Sequence, residues 1–562
     1  MSNMHDGDLL ASVFEERAEH LSAAELSQWT VESPQDARII SSLKGPGAKL
    51  LSGPRGSGKS SYLKRAYFQM LGESTVLPAY INFSKSLALE PIFHNRSDAA
   101  SIFRQWVIAK IIVGLIDGIR ESASPSQHLV DTQKSSQEFI HILERGDDPP
   151  VNFKKWAASE LLGFINSSAE KLGFKRTNLL LDDAAHAFSA EQQREFFEVF
   201  RELRSRRVSC KAAVYPGITS YSPNFHVGHD AEQVDVWQDP ASDNYLNFMR
   251  GIVTQRLPND LSSILKRTPL IVDYVAYAAT GLPRSFLVML SSILKVDSGG
   301  VSTPKRQDAD HAIKSNTQNV IQLFTSLSKK LPRYKHFIEV GQEFIGRISE
   351  LLRTFNQNRS IAKKAVVVGI NTPIDQELER ILGLLEYAGI FRDNGTVSRG
   401  IKGVFQRYSL HYSILLDENC LSLGQKRSLE NVSGALSSRD AHAFARGQGK
   451  TILDANYQER CVLDLAPCPN CDAPRVSDDA RFCMKCGKQL TDTSVYEQLL
   501  KTGIEELPLT EYRLSMIQKH SSIRTIQDVL VDDDLTQIRG VPSIGPVWSA
   551  RIRTWAEEFV SV

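Results

Sequence analysis

The sequence predicts an α/β fold with a parallel sheet, followed by several smaller modules. Three observations carry this. A short apolar strand (Lys49 to Ser52), a glycine-rich turn, a helix starting near Lys59 and a second strand (Val76 to Asn82) form the opening of a βαβ unit. Two further strands, NLLLDD (Asn178 to Asp183) and KAAVYPG (Lys211 to Gly217), then alternate with helical stretches. At about 150 residues per domain, 562 residues hold roughly four domains, more than one core.

Taken in order, the run from Ala37 is helical, and so is Asp98 to Ile119. A Ser- and Gln-containing insert follows (Glu121 to Gln137, within a wider segment 121–160), and nothing in its residues assigns it a role. Ser189 to Gln192 forms an S-x-x-Q capping box, and Phe196, Phe197, Phe200 and Leu203 fall on one face of the helix it starts. A strand around Val234 to Trp237 completes the alternation, and Asp243 to about Val296 reads as a small helical lid. Tyr334 to Asn356 is helical, and Gln376 to Tyr387 places Leu378, Ile381, Leu382 and Leu385 on one face. The hairpin signal RDNGTVSRG comes next, so this region reads as a winged helix turning at Asn394-Gly395. Leu421 to Lys450 is rich in Ser, Gly and Ala and reads as a linker or weak helix. These signals divide the chain into a core (1–240), a lid and connector (241–330), a winged helix (331–420), a linker (421–461), a cysteine-bearing ribbon (462–492) and a helical hairpin domain (493–562).

Lys and Arg number 66 against 65 Asp and Glu, a net charge of +1, which excludes a polycation coating nucleic acid and confines any such contact to local patches. The start of the chain is polar and acidic, and its most apolar early run, Val107 to Ile116, is interrupted by Lys110 and is too short to span a bilayer. The expectation is a cytoplasmic protein with no membrane partner. Four of the seven cysteines fall in one short segment, a pattern of metal binding in a reducing compartment.

GPRGSGKS, the residues Gly53, Pro54, Arg55, Gly56, Ser57, Gly58, Lys59 and Ser60, matches G-x-x-x-x-G-K-[ST] between a strand and a helix. The glycines let backbone N–H groups wrap phosphate oxygens, Lys59 brings charge to the β- and γ-phosphates, and Ser60 offers a hydroxyl to Mg²⁺. The apolar strand Leu179 to Leu181 ends in two carboxylates: Asp182 suits Mg²⁺, and Asp183 stands where a general base or water-orienting group is expected. Asp reaches one methylene less than Glu, so slow hydrolysis is expected. Thr219 or Ser220 could place a hydroxyl near the γ-phosphate, or simply form a turn. In GLPRS (Gly281 to Ser285), Arg284 begins a helix from which a cation can reach the γ-phosphate.

The order of GPRGSGKS, NLLLDD, KAAVYPGITS, GLPRS and a winged helix resembles AAA+ ATPases of the origin-recognition and replication-initiator type, over about Glu32 to Asp417. The resemblance implies an AAA+ core with a helical lid, ATP with Mg²⁺, Lys59 and Ser60 on phosphate and metal, Asp182 as the metal-side acid, Asp183 in the usual Glu position and Arg284 as lid sensor. One departure is plain. No arginine occurs between Arg207 and Arg250, where the family usually places a finger for a neighbouring subunit; Arg204, Arg206, Arg207 and Arg250 are the nearest substitutes. Homo-oligomer formation is therefore left open.

Arg392, Arg399, Lys402 and Arg407 lie on or near the wing, where cations suit DNA phosphate, although winged helices also bind proteins. CPNC (Cys468 to Cys471) and CMKC (Cys483 to Cys486) are two C-x-x-C knuckles with eleven residues between them. Four thiolates at this spacing suit a closed, structural Zn²⁺ site. The segment resembles the short bacterial zinc-ribbon family, with Asp472 where that family commonly has Gly. IRGVPSIGPVWSARI (Ile538 to Ile552) resembles a helix-hairpin-helix motif, and the run from about Thr510 to Val560 resembles the C-terminal domain of the bacterial RNA polymerase α subunit. That resemblance implies phosphate contacts at Gly540, Ser543 and Gly545 beside Pro546, with Arg551 and Arg553 in support, or else a protein contact. The combined expectation is an ATPase whose nucleotide state controls DNA binding. The alternative is a signalling latch on a protein effector, as in bacterial defence or stress systems; an RNA-directed adaptor is a third.

Overall fold

The computed structural model describes residues 21–560 apart from 84–88, 90, 93–95, 97, 151, 184–189, 295, 298–299, 425–426, 438–443, 476–479, 481, 491–493 and 533. Ser189 of the expected capping box falls outside the described residues.

Two capped helices, α1 (Ala23–Gln28) and α2 (Pro34–Lys44), lead into β1 (Lys49–Ser52), α3 (Lys59–Leu71) and β2 (Val76–Asn82). Three helices follow, α4 (Ala99–Ser122), α5 (Gln127–Glu144) and α6 (Ala158–Lys171), then β3 (Arg176–Asp182), α7 (Ala190–Glu202), β4 (Val208–Val214) and β5 (Glu232–Asp235). The five strands form a parallel sheet in the order β2-β3-β4-β1-β5. This order puts β1 between β4 and β5, so the turn after it opens on the carboxyl edge of the sheet, where α/β proteins bind ligands.

Both faces of the sheet are covered. α4 is long and apolar enough to cross a membrane, yet most of it is buried inside the protein. Its close approach to β2 depends on glycine: a Cβ on Gly118 would lie 2.1 Å from the Pro78 carbonyl oxygen, and one on Gly114 would lie 2.8 Å from that of Tyr80. Lys110, which interrupts the apolar run, pairs with Glu144 of α5 at 3.2 Å. The insert that the sequence left without a role thus contains a helix that packs on α4. Phe196, Phe197, Phe200 and Leu203 are buried, as their spacing predicts.

The lid consists of α8 (Tyr245–Arg256), α9 (Asn259–Lys266), α10 (Pro269–Ala278) and α11 (Pro283–Ile293). It is tied to the sheet where the Trp237 indole donates to the Thr280 carbonyl at 2.7 Å. Gly281, at φ 81°, lies so close to the chain that a Cβ would come within 1.9 Å of the Gln238 carbonyl oxygen. After the short strands β6 (Val296–Asp297) and β7 (Gly300–Val301), two long helices, α12 (Arg306–Lys330) and α13 (Lys335–Asn356), lead to β8 (Val367–Asn371), α14 (Gln376–Tyr387), β9 (Phe391–Ser398), β10 (Val404–Leu410) and α15 (Tyr412–Asp417).

Two expectations change in this region. Asn394-Gly395 is not the hairpin turn. Gln406 opposes Thr396 and Tyr408 opposes Asp393, so Asn394 and Gly395 together face Arg407 as a bulge, with Gly395 at φ 71°. The chain reverses at Arg399 to Gly403, where Gly400 and Gly403 take positive φ. Segment 421–461 is also not a free linker. It holds α16 (Leu429–Leu436), packed on α10, and β11 (Ala445–Gly447), which pairs in parallel with β8 and extends the sheet to the order β11-β8-β10-β9. The short helices α17 (Gly449–Ile452) and α18 (Tyr457–Arg460) rest on α13. Its Ser- and Gly-rich composition concealed Phe444, Ala445, Leu453 and Tyr457, all of them buried.

One hydrophobic core runs through the sheet, lid and winged region. A second lies on the opposite face of the sheet. A third belongs to the C-terminal module of α19 (Val495–Leu500), α20 (Glu511–His520), α21 (Ile526–Val531), α22 (Thr536–Arg539) and α23 (Pro546–Val560).

Candidate nucleotide site and metal centre

The turn from Gly53 to Gly58 curls at the end of β1, with Gly56 and Gly58 at φ 81° and 92°, and α3 starts at Lys59. Both angles are ones that a residue with a Cβ rarely adopts. Gly53 has no room for a side chain, since a Cβ would meet Ser57 Oγ at 2.6 Å. Ser57 Oγ donates to the Pro54 carbonyl at 2.8 Å, which holds the loop shut on itself. Lys59 is buried and donates to the carbonyls of Gly53 (2.7 Å) and Pro54 (3.0 Å), with its Nζ 3.8 Å from the Tyr215 ring centroid. Burial pushes its pKa down to about 7, against the pull of Asp183 and Asp182. Ser60 follows on the first turn of α3.

Asp182 ends β3 almost wholly buried and accepts from the Tyr80 hydroxyl at 2.6 Å. Asp183, at φ 52°, turns away from the strand; its N–H donates to Asp182 Oδ1 at 3.0 Å, and its carboxylate accepts from the Tyr215 hydroxyl at 3.3 Å. The two acids and Lys59 are therefore within electrostatic reach of one another. Tyr80, Tyr215 and Tyr387 were not singled out from the sequence. Each joins the site through packing between distant segments, and only their position near strand or helix ends could have suggested them.

Arg284 stands at the start of α11 against the phosphate loop, where a Cβ on Gly56 would lie 3.0 Å from Arg284 Cβ. Thr219 does not join this group. Its hydroxyl donates to the Tyr215 carbonyl at 2.7 Å and accepts from the Tyr215 N–H at 3.0 Å, so it fastens its own turn. The Ser220 N–H is taken by Gln193 Oε1 at 2.5 Å. The turn after β4 is instead covered by α14, with Gly217 meeting Gly383 backbone to backbone. Tyr387 of α14 stacks edge-on to Tyr215 at 5.4 Å; burial pushes its hydroxyl pKa up, and the neighbouring Arg55 guanidinium opposes that shift.

These residues fit a triphosphate and a hard cation. Gly53 leaves no room for a side chain and Gly56 little, the lysine ammonium rests on two backbone carbonyls, and a hydroxyl and a buried carboxylate stand at adjoining element ends.

The four cysteine Sγ atoms all lie within 4.8 Å of one another. Cys468 and Cys486 approach at 3.5 Å, and Cys471 and Cys483 at 3.6 Å. A tetrahedron with metal–sulfur bonds of about 2.3 Å has edges near these separations. The two knuckles share one backbone device: the Asp472 N–H donates to the Cys468 carbonyl and the Gly487 N–H to the Cys483 carbonyl, each at 2.9 Å. Asp472 and Gly487 both take positive φ, 55° and 69°. Asp is among the few non-glycine residues that tolerate this conformation, so its departure from glycine is accommodated.

The expected nucleic-acid contacts are dispersed. Lys402 is exposed at the wing tip beside fully exposed Ile401. Arg399 lies over the Phe444 ring at 5.1 Å. Arg407 donates to the Asn394 carbonyl at 2.8 Å and so braces the bulge. Arg392 faces inward, donating to the carbonyls of Trp237 and Gln238 at 3.2 Å. Half of the residues of α14 are buried, among them Leu378, Ile381, Leu382 and Leu385. In the C-terminal hairpin, Gly540 and Ser543 are exposed and Gly545 half-exposed, with Ser543 at φ 69°. Asp532, part of the acidic run before it, caps α22 by accepting from the N–H groups of Gln537 (3.3 Å) and Ile538 (3.1 Å). Arg553 donates to the Asp532 carbonyl at 3.2 Å, and the Arg551 guanidinium lies 5.4 and 5.5 Å from the ring centroids of Trp548 and Trp555. Among the substitute finger arginines, Arg204 pairs with Asp230, Arg207 with Glu170 and Arg250 with Asp273.

No family model and no curated protein matches the chain. Among solved structures, an Orc1 protein of Aeropyrum pernix in complex with DNA aligns at 15% identity over 73% of this chain and 96% of its own, with a TM-score of 0.29. Cdc6p from Pyrobaculum aerophilum aligns at 14% identity over 73% and 98%, with a TM-score of 0.28. At such low scores the case for a nucleotide site stands on the geometry of the loop, the two acids and the lid arginine.

Proposed function

We propose that the chain is an AAA+-type protein that binds and hydrolyses ATP, and that its nucleotide state controls DNA engagement by the C-terminal modules. The observation that carries this reading is Lys59, buried inside a curled glycine loop within electrostatic reach of Asp182 and Asp183, with Arg284 of the lid set against the same loop at Gly56. In the working site, backbone N–H groups of the loop hold the phosphates, and Lys59 moves from the carbonyls of Gly53 and Pro54 onto the β- and γ-phosphates. Mg²⁺ would be held by Ser60 and Asp182 and would neutralise phosphate charge. Asp183, kept in place by Tyr215, orients the attacking water, and Arg284 meets the γ-phosphate. The cysteine cluster would hold one structural Zn²⁺, whose binding would supply folding energy to its segment.

The deciding experiment is steady-state ATP hydrolysis by wild type and Asp183→Asn, with and without duplex DNA at two salt concentrations. Stimulation by DNA that fades with salt supports the reading; a rate indifferent to DNA refutes the DNA-linked part. The second reading, a latch acting on a protein effector, is favoured by Arg407 and Arg392, two wing-region cations whose hydrogen bonds are made inside the protein. Under it, ATPase activity answers to a protein partner and not to DNA.

A further inference from the structure

The phosphate loop has a neighbour that nucleotide binding does not call for. The last helix, α23, ends against it: Arg284 Nη1 donates to the Glu558 carboxylate at 3.0 Å, and buried Lys330 donates to the Glu558 carbonyl at 3.2 Å. The side chains of Arg284 and Glu558 are only 28% and 26% exposed, so the pair is substantially shielded from water. Glu558 also acts on Arg55, the third residue of the loop: burial opposes the charge of that guanidinium, and Glu558 is among the groups that keep its pKa above the usual range. The Glu558 carboxylate thus stands among the cations at the mouth of the loop.

The module that supplies Glu558 has its own hydrophobic core. It meets the rest of the chain through α19 on α12, with Tyr496 packed against the main core, and through ion pairs, including Lys329 with Glu506 at 2.9 Å. Because the buried residues of the module form a core of their own, its release would leave that core intact.

We propose that α23 is an internal competitor for the nucleotide: Glu558 occupies Arg284 in the ATP-free protein, the γ-phosphate of ATP displaces it, and ATP binding and docking of the C-terminal module exclude each other. This rests on the nucleotide reading. A phosphate offers a guanidinium more charge and more acceptor oxygens than one carboxylate, so ATP wins the arginine. ADP lacks the displacing group and leaves α23 in place. Because the two events share one cation, the coupling is reciprocal: whatever draws the C-terminal module away strengthens ATP binding.

The test uses the full chain as wild type, Glu558→Gln and Lys59→Ala, with fluorescent ATP and ADP analogues for affinity and amide hydrogen exchange over Pro546–Val560 for docking. Glu558→Gln is expected to tighten the ATP analogue about fivefold, leave ADP unchanged and speed exchange in α23 without nucleotide. In wild type a non-hydrolysable ATP analogue speeds that exchange and ADP does not, while Lys59→Ala shows no response to either. Equal ATP affinity in wild type and Glu558→Gln, with α23 exchange indifferent to nucleotide, overturns the competitor while leaving the nucleotide site standing. Absence of ATP binding in both proteins overturns the nucleotide reading, and the competitor with it.

Discussion

Lys59 rests on two carbonyls and a tyrosine ring, and burial pushes its pKa down to about 7. A bound triphosphate restores the charged form, so ATP binding takes up a proton at and above that pH. ATP affinity is therefore expected to be greatest near or below pH 7 and to fall as pH rises from 7 towards 9. Calorimetry in two buffers of different ionisation heat reads the proton uptake directly. Lys59→Ala removes charge-assisted contacts and is expected to weaken ATP by about 100-fold in equilibrium binding. Asp183→Asn keeps ATP affinity and slows single-turnover hydrolysis by about 100-fold. Lys59, Ser60 and Asp182 were legible in the sequence because contiguous residues and a strand end specify them. Thr219 was not, because a hydroxyl after a glycine reads the same whether it faces a ligand or closes its own turn. Glu558 and Lys330 were invisible, since a salt bridge to a residue 274 positions away leaves no local pattern.

For the elements, alternation of strands and helices was enough to place β1 to β4, and amphipathic spacing was enough for α7 and α14. The wing was harder. Asn-Gly serves both two-residue turns and bulges, and only the pairing partner decides between them. Arg407, read as a phosphate contact, holds that bulge, so Arg407→Ala is expected to cost about 1 kcal/mol in urea denaturation while leaving DNA affinity within error. Gly217 makes a sharper case. It stands at φ 74°, and a Cβ there would lie 2.2 Å from the Gly383 backbone. Gly217→Ala is expected to lose about 3 kcal/mol or more, visible as a lower Tm, because neither backbone can yield without moving α14 off the sheet.

Across the molecule, the parallel sheet was legible, whereas the reach of the main core was not. Composition marked 421–461 as a connector, whereas its sparse apolar residues complete the neighbouring sheet and pack on α10 and α13. The cysteine segment was legible from spacing alone, and its four sulfurs converge as that spacing requires. Purified protein is expected to hold one zinc per chain by elemental analysis. Its removal with a strong chelator should abolish protection of 466–490 from protease while leaving ATP binding intact.

A core that continues from the sheet through the lid and into the wing has a practical corollary for anyone dissecting the gene. Truncations ending between 296 and 461 leave a cut apolar surface and should yield insoluble product. A stop placed just after Leu463 keeps every buried residue of the first core, a start just before Ser494 keeps every buried residue of the C-terminal one, and both should give well-behaved fragments. The place where the chain tolerates scissors is thus set by where oily contacts end and not by where its letters turn polar.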